Sequence, residues 1–380
     1  MLRTIDDDDL EGLRDFEGDW RRLAEARGNA FLTPEWFRAW LRAYGQDVEP
    51  FVPLLRAGDG SLRGLLPLAL SRSGHPRVCR IAGANIGDRF HPVCEPGEEP
   101  EVAAEVGRSL ASAPEPWSII GLTHVQTEPD WLEALAEGTG ARLRIRQRIT
   151  GPLPYVELGA YGDWESYLQS RTSHFRQQVR RLPRRAAKEG SVALRRTERP
   201  EELEADMDTF FRLHGLRFGS RGGSTLSSER AQAFHLDFAG AALRRGWLRL
   251  WFLELDGRPA AAWYGWKLGQ RYSHYNSGLD PSFSSLRLGQ VLLAAVIESA
   301  FEEGAAEFDF LLGGESFKYR FADDERTVSD VAIARALPHP ASALAGVGFA
   351  ARRLARMVPS GARQRLGLTR LARRQTKRGR

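Results

Sequence analysis

Apolar residues in the first part of the chain follow helical spacing in two places. Recurrence every three or four residues predicts a helix over 10–26, whose apolar face comprises Leu10, Leu13, Phe16, Trp20 and Leu23. Thr33 followed by Pro34 is typical of a helix start, because a hydroxyl can cap the first turn and proline fits its first position. A second helix is therefore predicted after Thr33.

Strand patterns follow these helices. Strands are predicted over 51–57 and 62–71, joined by the Gly-Asp-Gly turn at 58–60, a combination typical of a hairpin. Shorter apolar runs predict further strands over 77–82, 117–122 and 143–148. Helical spacing predicts helices over 102–111 and 131–137.

The segment 151–154, Gly-Pro-Leu-Pro, predicts a boundary, and a second set of elements follows it. Its predicted helices cover 164–168, 171–188, 200–218, 227–245 and 289–303. Its predicted strands cover 192–196, 247–255, 258–267, 271–279, 307–311 and 327–334. Pro183 interrupts the second of these helices and is expected to kink or end it near Leu182.

Both parts contain helices, an antiparallel hairpin, a helix and a strand in that order. The prediction is an α/β (α+β) chain with tandem domains at 1–150 and 151–336, each a mixed, largely antiparallel sheet flanked by helices. Residues 337–380 are predicted to form a basic, amphipathic helical tail. No sequence similarity between the halves is visible, so duplication is suggested by the order of elements alone.

Composition narrows the class of protein. Two cysteines, Cys79 and Cys94, are too few for a disulfide framework or a cysteine zinc site, and no metal is expected. The N-terminus has no basic and apolar leader, and no run approaches 18 apolar residues. We therefore expect a cytoplasmic protein, with peripheral contact at the inner face of the cell membrane as an option.

Charge is distributed unevenly along the 380 residues. The chain has a net charge of +5, but residues 341–380 contain ten Arg, one Lys and no acid, so the remainder carries a net charge of −6. The tail is suited to lying on anionic lipid or docking on the acidic body, and a disordered, solubilising tail is the alternative. Nucleic-acid binding is not expected there, because the segment has a single aromatic residue, Phe349, that could stack on a base.

Two basic or glycine-bearing features are candidates for anion binding. Arg176 and Arg180 belong to an i, i+4 stripe with no acid between residues 171 and 188, so either a bound anion or acids from elsewhere in the fold must offset the repulsion. Before the helix over 289–303, a polar loop ends at Gly289, where free amides could hold a phosphate. The candidate cofactor-binding residues are Leu286, Arg287, Leu288, Gly289 and Gln290.

The run from Asp309 to Phe321 makes the chain recognisable. It resembles the Asp-Phe-x-x-Gly-x-Glu-x-Tyr-Lys-x-x-Phe signature of CelD/FemAB-like acetyltransferases in the GNAT superfamily, with Phe317 in place of the tyrosine. The basic helix after residue 170, the segment 253–261 and residues 29–36 are similar to this family too. The resemblance implies paired GNAT-like domains and acyl transfer, usually from acetyl-CoA or another acyl-CoA.

The resemblance and the chemistry of acyl transfer suggest roles for individual residues. A general base is sought among His274, Glu315 and Asp309, which the sequence does not rank, and a strand amide within 271–278 would stabilise the oxyanion. Tyr275 or Tyr319 could protonate the leaving thiolate. Lys318 is a candidate contact for a substrate phosphate or carboxylate, as the matching lysine is in the Fem branch. Packing, capping or surface roles remain the alternatives for these residues.

Three functions stay open at this stage. The first is acyl transfer from acyl-CoA to an amine or hydroxyl of a small-molecule or lipid-linked sugar, a glycolipid or a cell-envelope polysaccharide intermediate. The second is Fem-like aminoacyl transfer to a cell-wall precursor, and the third is a non-catalytic, membrane-associated GNAT-like scaffold. Asp88 and His91 are candidates for a ligand site in the first half.

Overall fold

The structure, a computed structural model, describes residues 13–72, 77–113, 117–127, 130–141, 143–219 and 223–335. The predicted tail at 337–380 therefore lies outside the described residues, as does Leu10. The helices are α1 Glu17–Ala26, α2 Pro34–Tyr44, α3 Glu99–Ala111, α4 Trp131–Gly138, α5 Trp164–Ser170, α6 Ser173–Ala186, α7 Leu203–Phe218, α8 Glu229–Arg244 and α9 Leu288–Glu302.

The strands are β1 Val48–Phe51, β2 Leu54–Arg56, β3 Leu62–Leu65, β4 Leu68–Ser71, β5 Val78–Ile81, β6 Val93–Cys94, β7 Ile119–Val125, β8 Leu143–Val156, β9 Val192–Arg196, β10 Leu248–Leu255, β11 Arg258–Leu268, β12 Arg271–Leu279, β13 Glu307–Asp309 and β14 Asp324–Arg335. Within the described residues, eleven strands form one sheet in the order β1-β4-β5-β7-β14-β8-β13-β12-β11-β10-β9. Strands β2, β3 and β6 form a small separate sheet.

The large sheet is mixed, and its two halves use the same pattern of pairing. In each half antiparallel strands lead to one parallel pair, which is β5 with β7 in the first and β12 with β13 in the second. The next pairings are antiparallel, β7 with β14 and β13 with β8. Because β8 and β14 also pair with each other, the halves are joined into one continuous sheet. The predicted mixed α/β fold class is confirmed.

Strand β8 runs through the predicted boundary at 150/151. Pro152 and Pro154 lie inside it and donate no backbone hydrogen bond, yet their carbonyl oxygens accept from the amides of Gly313 and Phe310 at 3.0 and 2.9 Å. The segment 151–154, where a boundary is predicted, is thus part of the strand that joins the halves. The division into domains at this point stays a prediction.

Prolines also explain why the predicted first hairpin is divided. The expected strand over 62–71 is split at Pro67 into β3 and β4, and Pro53 separates β1 from β2. Proline cannot donate a ladder hydrogen bond, so the chain leaves one sheet and joins the other at these residues. The inner pieces, β2 and β3, keep the antiparallel pairing across the 58–60 turn.

The sequence predicts the start of α2 correctly, but it does not predict how α6 passes Pro183. The Thr33 hydroxyl accepts a hydrogen bond from the amide of Trp36 at 3.2 Å, as the Thr-Pro pair predicted. Helix α6 continues past Pro183 to Ala186, so of the kink or end predicted near Leu182, the end is wrong. No helix of the described residues has both the length and the apolar character to cross a bilayer.

Two apolar cores lie against the large sheet. The larger one unites the halves, since Trp36 of α2 contacts Phe234 and Phe238 of α8 with ring centroids 4.8 and 4.9 Å apart. The smaller one is built by α5, α6 and α9 on the second half of the sheet. Aromatic pairs of this geometry add to the stabilisation from burial, so the halves are held by packing as well as by strand pairing.

A partly buried ionic cluster ties β12, β13 and β14 together. Glu307 accepts hydrogen bonds from Arg271 Nε at 2.5 Å and from Arg326 Nη2 at 2.6 Å. Burial alone would raise the pKa of Glu307, but the hydrogen bond from Arg326 and the charge of Arg271 outweigh it and lower that pKa to about 2. The carboxylate thus stabilises the fold wherever it is ionised.

Replacing Glu307 by glutamine should destabilise the protein by roughly 3 kcal/mol at neutral pH. Because the folded-state pKa lies below the ordinary value of 4.5, this stabilisation is present above pH 4.5 and is lost as pH falls toward 2. Urea unfolding of the two proteins between pH 7 and pH 2.5 measures the difference. The exposed Glu198→Gln, which breaks a surface pair with Arg196, should change stability by less than about 1 kcal/mol. A Glu307→Gln effect that does not shrink in acid would contradict this assignment.

Helices α3 and α4 approach so closely at Gly107 that no side chain fits there. A Cβ atom at this position would lie 2.3 Å from the carbonyl oxygen of Leu135, a backbone atom that cannot move aside cheaply. Gly107→Ala should therefore destabilise the fold by about 1–3 kcal/mol. Gly215→Ala in α7, where nothing lies within 4 Å, should stabilise it by up to about 1 kcal/mol. Equal unfolding midpoints for the two variants would show that the helix contact is looser than described.

Candidate functional site

The candidate site lies where two neighbouring parallel strands separate. β12 and β13 pair only as far as Ser273 and Asp309, yet β12 continues to Leu279 while the chain after β13 turns away. β12 also carries a bulge, since Tyr264 is opposite Asn276 and Gly265 is opposite His274, which leaves Tyr275 as the extra residue. The edge of β12 beyond Ser273 therefore faces a gap in the sheet.

A pocket of about 420 Å³ occupies this gap, a volume in the range of small-molecule sites. Both halves of the chain line it. The first half contributes Asn85, Ile86, Gly87, Asp88 and His124. Helices α7 and α8 contribute His214 and His235, and β12 contributes His274, Tyr275, Asn276 and Ser277. The turn after β13 contributes Leu312, Glu315, Phe317 and Lys318.

Lys318 is held rigidly at the wall of this pocket. Its side chain is buried, and its ammonium lies 2.9 Å from the Leu312 carbonyl oxygen, 3.4 Å from the Leu311 carbonyl oxygen and 2.9 Å from Glu315 Oε2. An ammonium has three donors, so these three acceptors use all of them. Two partners are fixed backbone atoms, whereas Glu315 is 56% exposed and can be exchanged for a substrate oxygen. Lys318 thus lines the pocket, and its predicted contact with a substrate stays a prediction.

His274 is placed to donate a hydrogen bond rather than to accept a proton. It lines the pocket, and its Nδ1 lies 2.9 Å from Trp263 Nε1, which can only donate. Nδ1 must therefore be the acceptor, and the neutral ring carries its hydrogen on Nε2. Burial, with the nearby Lys318 and Arg217, lowers the pKa of His274 well below its usual value, which keeps the ring neutral. The geometry disfavours the predicted role as a general base.

Tyr275 reaches the pocket from the bulge of β12. Its hydroxyl donates to the carbonyl oxygen of Ile86 at 2.8 Å, so the ring bridges β12 and a first-half loop. Burial, and next the charge of Asp88, raise the pKa of this hydroxyl well above its usual value. Tyr275 is thus present at the site in its neutral form, with its proton directed to a backbone oxygen.

Asp309 does not line the pocket, so its predicted role as a base lacks the required access. Its Oδ1 accepts from the amide of Leu311 at 2.7 Å, and its Oδ2 lies 3.0 Å from Arg89 Nη1. Both side chains are almost fully buried. Leu311 has a φ of 55°, and the Asp309 carboxylate holds this unfavourable turn in place. Asp309 therefore shapes the turn that carries the Lys318 acceptors.

Asp88 and His124 line the pocket from the first half. Asp88 Oδ2 accepts a 3.4 Å hydrogen bond from the amide of Leu312, and burial raises the pKa of Asp88 to about 6, against the opposing charges of His124 and Lys318. His124 Nδ1 lies 2.8 Å from the Gly87 carbonyl oxygen. His91, in contrast, is buried against Pro92 and Asn29 and does not line the pocket.

Sequence reasoning missed the other pocket histidines. His214 lies 2.7 Å from Ser224 Oγ and 3.0 Å from Asn276 Oδ1, and burial lowers its pKa to about 4. His235 is fully buried, and within the described residues neither of its ring nitrogens has a hydrogen-bond partner. Each sits in an ordinary amphipathic helix, so no local pattern distinguishes it from a core histidine. For His124 the one unusual feature is a φ of 53°, which the sequence does not reveal.

The start of α9 differs from the expected phosphate site. A Cβ atom at Gly289 would meet Leu279 Cδ2 at 2.8 Å, so a side chain here would displace the end of the Leu279 side chain where α9 packs on β12. Gln290 accepts a 3.0 Å hydrogen bond from Gln178 of α6, and the crevice beside it holds only about 10 Å³, roughly one water. A phosphate could approach the first backbone amides of α9 from the side of Arg287, which is exposed. Of the predicted cofactor residues, Leu286 and Leu288 are buried in the smaller core.

The remaining predicted substrate contacts lie away from the pocket. Arg176 donates to the carbonyl oxygens of Arg171 and Gln169 at 2.6 and 3.1 Å, which caps the end of α5. Arg180 pairs with Glu165. Tyr319 bonds Glu325, which raises the pKa of Tyr319 to about 12. The acid that offsets Arg180 is therefore Glu165, which lies outside the basic stripe. This agrees with the interpretation in which acids from elsewhere in the fold, rather than a bound anion, offset the repulsion.

No three metal-ligating side chains converge among the residues that the structure describes.

Comparison with known proteins gives a family for the second half. Residues 173–319 match the family model described as an acetyltransferase (GNAT) domain. No curated protein matches the chain by sequence. This match covers β9 to β13 and the turn with Lys318, and so includes the second-half wall of the pocket.

Solved structures share the fold across most of the chain. FemX is 12% identical with a TM-score of 0.61, covering 83% of this chain and 95% of its own. The C-terminal domain of a protein described as a lysylphosphatidylglycerol synthetase, from Agrobacterium fabrum, is 12% identical with a TM-score of 0.56, covering 89% and 96%. A Bacteroides thetaiotaomicron protein of unknown function is 10% identical with a TM-score of 0.54, covering 88% and 100%. Residues 173–319, which include the β12–β13 separation, are thus similar to a GNAT-type acetyltransferase domain, and the solved structures share the fold of the chain.

Proposed function

We propose that this chain is a GNAT-type N- or O-acyltransferase whose acceptor occupies the pocket between the two halves. The observation that carries the proposal is the pocket at the separation of β12 and β13, inside the segment that matches the GNAT family. GNAT chemistry needs the acyl carbon and the acceptor atom to be held together, with donors around the developing oxyanion. The edge of β12 beyond Ser273 offers backbone amides for that purpose.

The acceptor is proposed to be an amine or hydroxyl of a sugar, a glycolipid or a cell-envelope polysaccharide intermediate. The pocket's 420 Å³ suits a sugar-sized group, and its wall carries amide, hydroxyl and imidazole groups that recognise hydroxyls. Asn276, Ser277 and Thr225 are among these groups. A lipid-linked acceptor would place only its head group here.

The donor is proposed to be acetyl-CoA or another acyl-CoA, the donor that the family implies. Its thioester supplies the activated acyl carbon. The exposed Arg287 and the first amides of α9 are the groups of this chain that would hold its phosphates. His274 Nε2–H and the Lys318 ammonium are the donors that would face the reacting carbonyl oxygen or a substrate phosphate.

Lys318→Met tests the site, because methionine keeps the length of the side chain and removes its charge. With acetyl-CoA and glucosamine as probes, release of free thiol should fall about 100-fold in kcat/KM. Lys267→Met is the matched control, since Lys267 also donates to a backbone carbonyl, that of Glu303, but lies outside the pocket. Thermal unfolding of both variants separates lost catalysis from lost folding. A folded Lys318→Met that keeps the wild-type rate would remove Lys318 from the site.

A second candidate is Fem-like aminoacyl transfer to a cell-wall precursor. It is favoured by the narrow crevice at Gln290, which leaves little room for a coenzyme on the α6 side, and by the fold shared with FemX. An assay with charged tRNA and a lipid-linked precursor tests it beside the acetyl-CoA assay. Isothermal titration that shows no acetyl-CoA binding, together with transfer from charged tRNA, would select this second function. Indifference to charged tRNA would dismiss it.

A further inference from the structure

The pocket contains several groups that could take a proton from an acceptor, and their hydrogen bonds decide which of them can. A general base needs an accessible lone pair facing the substrate. A carbonyl oxygen can only accept a hydrogen bond, and an indole N–H can only donate one. Each imidazole nitrogen that contacts such a group must therefore carry a hydrogen or a lone pair accordingly, which fixes the tautomer of the ring. The assignment of the base therefore follows from contacts rather than from residue type.

Each candidate base of the second half is committed to another contact. His274 carries its hydrogen on Nε2, because Nδ1 accepts from Trp263. Glu315 Oε2 pairs with the Lys318 ammonium, a contact that a proton on this carboxylate would weaken, and the Tyr275 hydroxyl donates to Ile86.

The histidines of α7 and α8 are excluded on different grounds. Both ring nitrogens of His214 are engaged, by Ser224 and Asn276. His235 has no exposed ring nitrogen, since both are buried.

His124 of the first half has the opposite arrangement to His274. Its Nδ1 lies 2.8 Å from the Gly87 carbonyl oxygen, which can only accept, so Nδ1 carries the hydrogen. Nε2 then holds the lone pair, and among the described residues no donor contacts it. The ring lines the pocket and is only partly buried, so this nitrogen is the one left for a ligand.

The backbone around His124 is held so that the ring cannot turn away. Its carbonyl oxygen accepts from the amide of Phe90 at 2.9 Å, and its amide donates to Asp330 Oδ1 at 3.4 Å. The φ of 53° is unfavourable for a residue with a Cβ atom, and these contacts maintain it. Such conformations persist where the surrounding structure determines them, often at functional sites.

Asp88 completes the arrangement. It lies in the same loop as Gly87, lines the pocket and interacts electrostatically with both His124 and Lys318. A carboxylate beside an imidazole stabilises the imidazolium that forms when the ring takes a proton, and it attracts a cationic amine to the same place. The charged groups near His124 thus include Asp330, which contacts its amide, and Asp88, which also interacts with Lys318.

We propose that His124 is the general base of the transfer and that Asp88 supports it, which makes a primary amine the acceptor class. The inference rests on the proposed function. The amine nitrogen forms the bond to the acyl carbon, and the carbon–sulfur bond breaks with its electron pair on sulfur. The ammonium loses one proton to His124 Nε2, which passes it to water, before its nitrogen attacks; a second proton leaves the nitrogen as the amide forms, and the thiolate takes a proton from water. The first half therefore supplies the general base, and the second half supplies the hydrogen-bond donors to the reacting carbonyl oxygen.

The kinetic test uses His124→Gly in the full-length chain, with acetyl-CoA and glucosamine as probes. Glycine accepts a positive φ and leaves room for a small molecule, so the variant should fold. The turnover rate should fall about 100-fold, and free imidazole should restore it about tenfold, because it replaces the missing base. His174→Ala, an exposed histidine of α6 outside the pocket, should keep the wild-type rate and ignore imidazole.

The tautomers give a second measurement that needs no activity. Long-range nitrogen-15 spectra of the eight histidines, assigned with His124→Gly and His274→Gln, should show hydrogen on Nδ1 in His124 and on Nε2 in His274. The opposite tautomer in His124 would overturn the proposal, as would an active wild type with an equally active His124→Gly. A wild type that acylates hydroxyls but no amine would overturn the acceptor class proposed here. A wild type that acylates neither amines nor hydroxyls refutes the proposed function instead, while the spectra still decide the base.

Discussion

The contact between Arg89 and Asp309 holds the site together. Both side chains are nearly buried and lie 3.0 Å apart, and removing one partner of such a pair typically costs about 3–5 kcal/mol because the other charge is left unpaired. Arg89 also donates to the Gly28 carbonyl oxygen and follows Asp88 directly in the chain. Asp309 ends β13 and fixes the turn at Leu311. One ion pair therefore positions the first-half loop against the turn that orients Lys318.

The reciprocal pairing of β8 and β14 explains why a pocket forms between the halves and persists. β14 comes from the end of the described chain but lies between β7 and β8, so neither half completes its sheet alone. The aromatic contacts of Trp36 with α8 bind the same halves on one face. Movement of one half against the other would disturb both. The pocket wall is therefore expected to be preorganised, which favours a reaction that depends on positioning.

Much of this fold follows from local patterns, and the site follows only in part. Strands β10, β11 and β12 and helices α7 to α9 were predicted within a few residues, because period-two and period-3.6 patterns are strong there. The pairing of β8 with β14, which joins the two halves, was not predicted, because pairing between strands distant in sequence produces no local sequence pattern. Lys318 and Glu315 were found through the Asp309–Phe321 run. The access of Asp309, the tautomer of His274 and the role of His124 depend on partners far along the chain, so the sequence could not rank the bases.

Hydrogen–deuterium exchange of the full chain tests most directly the claim that both halves build one acyl-transfer site. The comparison is the free protein against the protein with saturating acetyl-CoA and glucosamine. The account predicts simultaneous protection of the first-half loop at 85–88 and of the turn at 312–318, since the two face the same pocket. Protection confined to the second half, or protection only around α6 and α9, would contradict it.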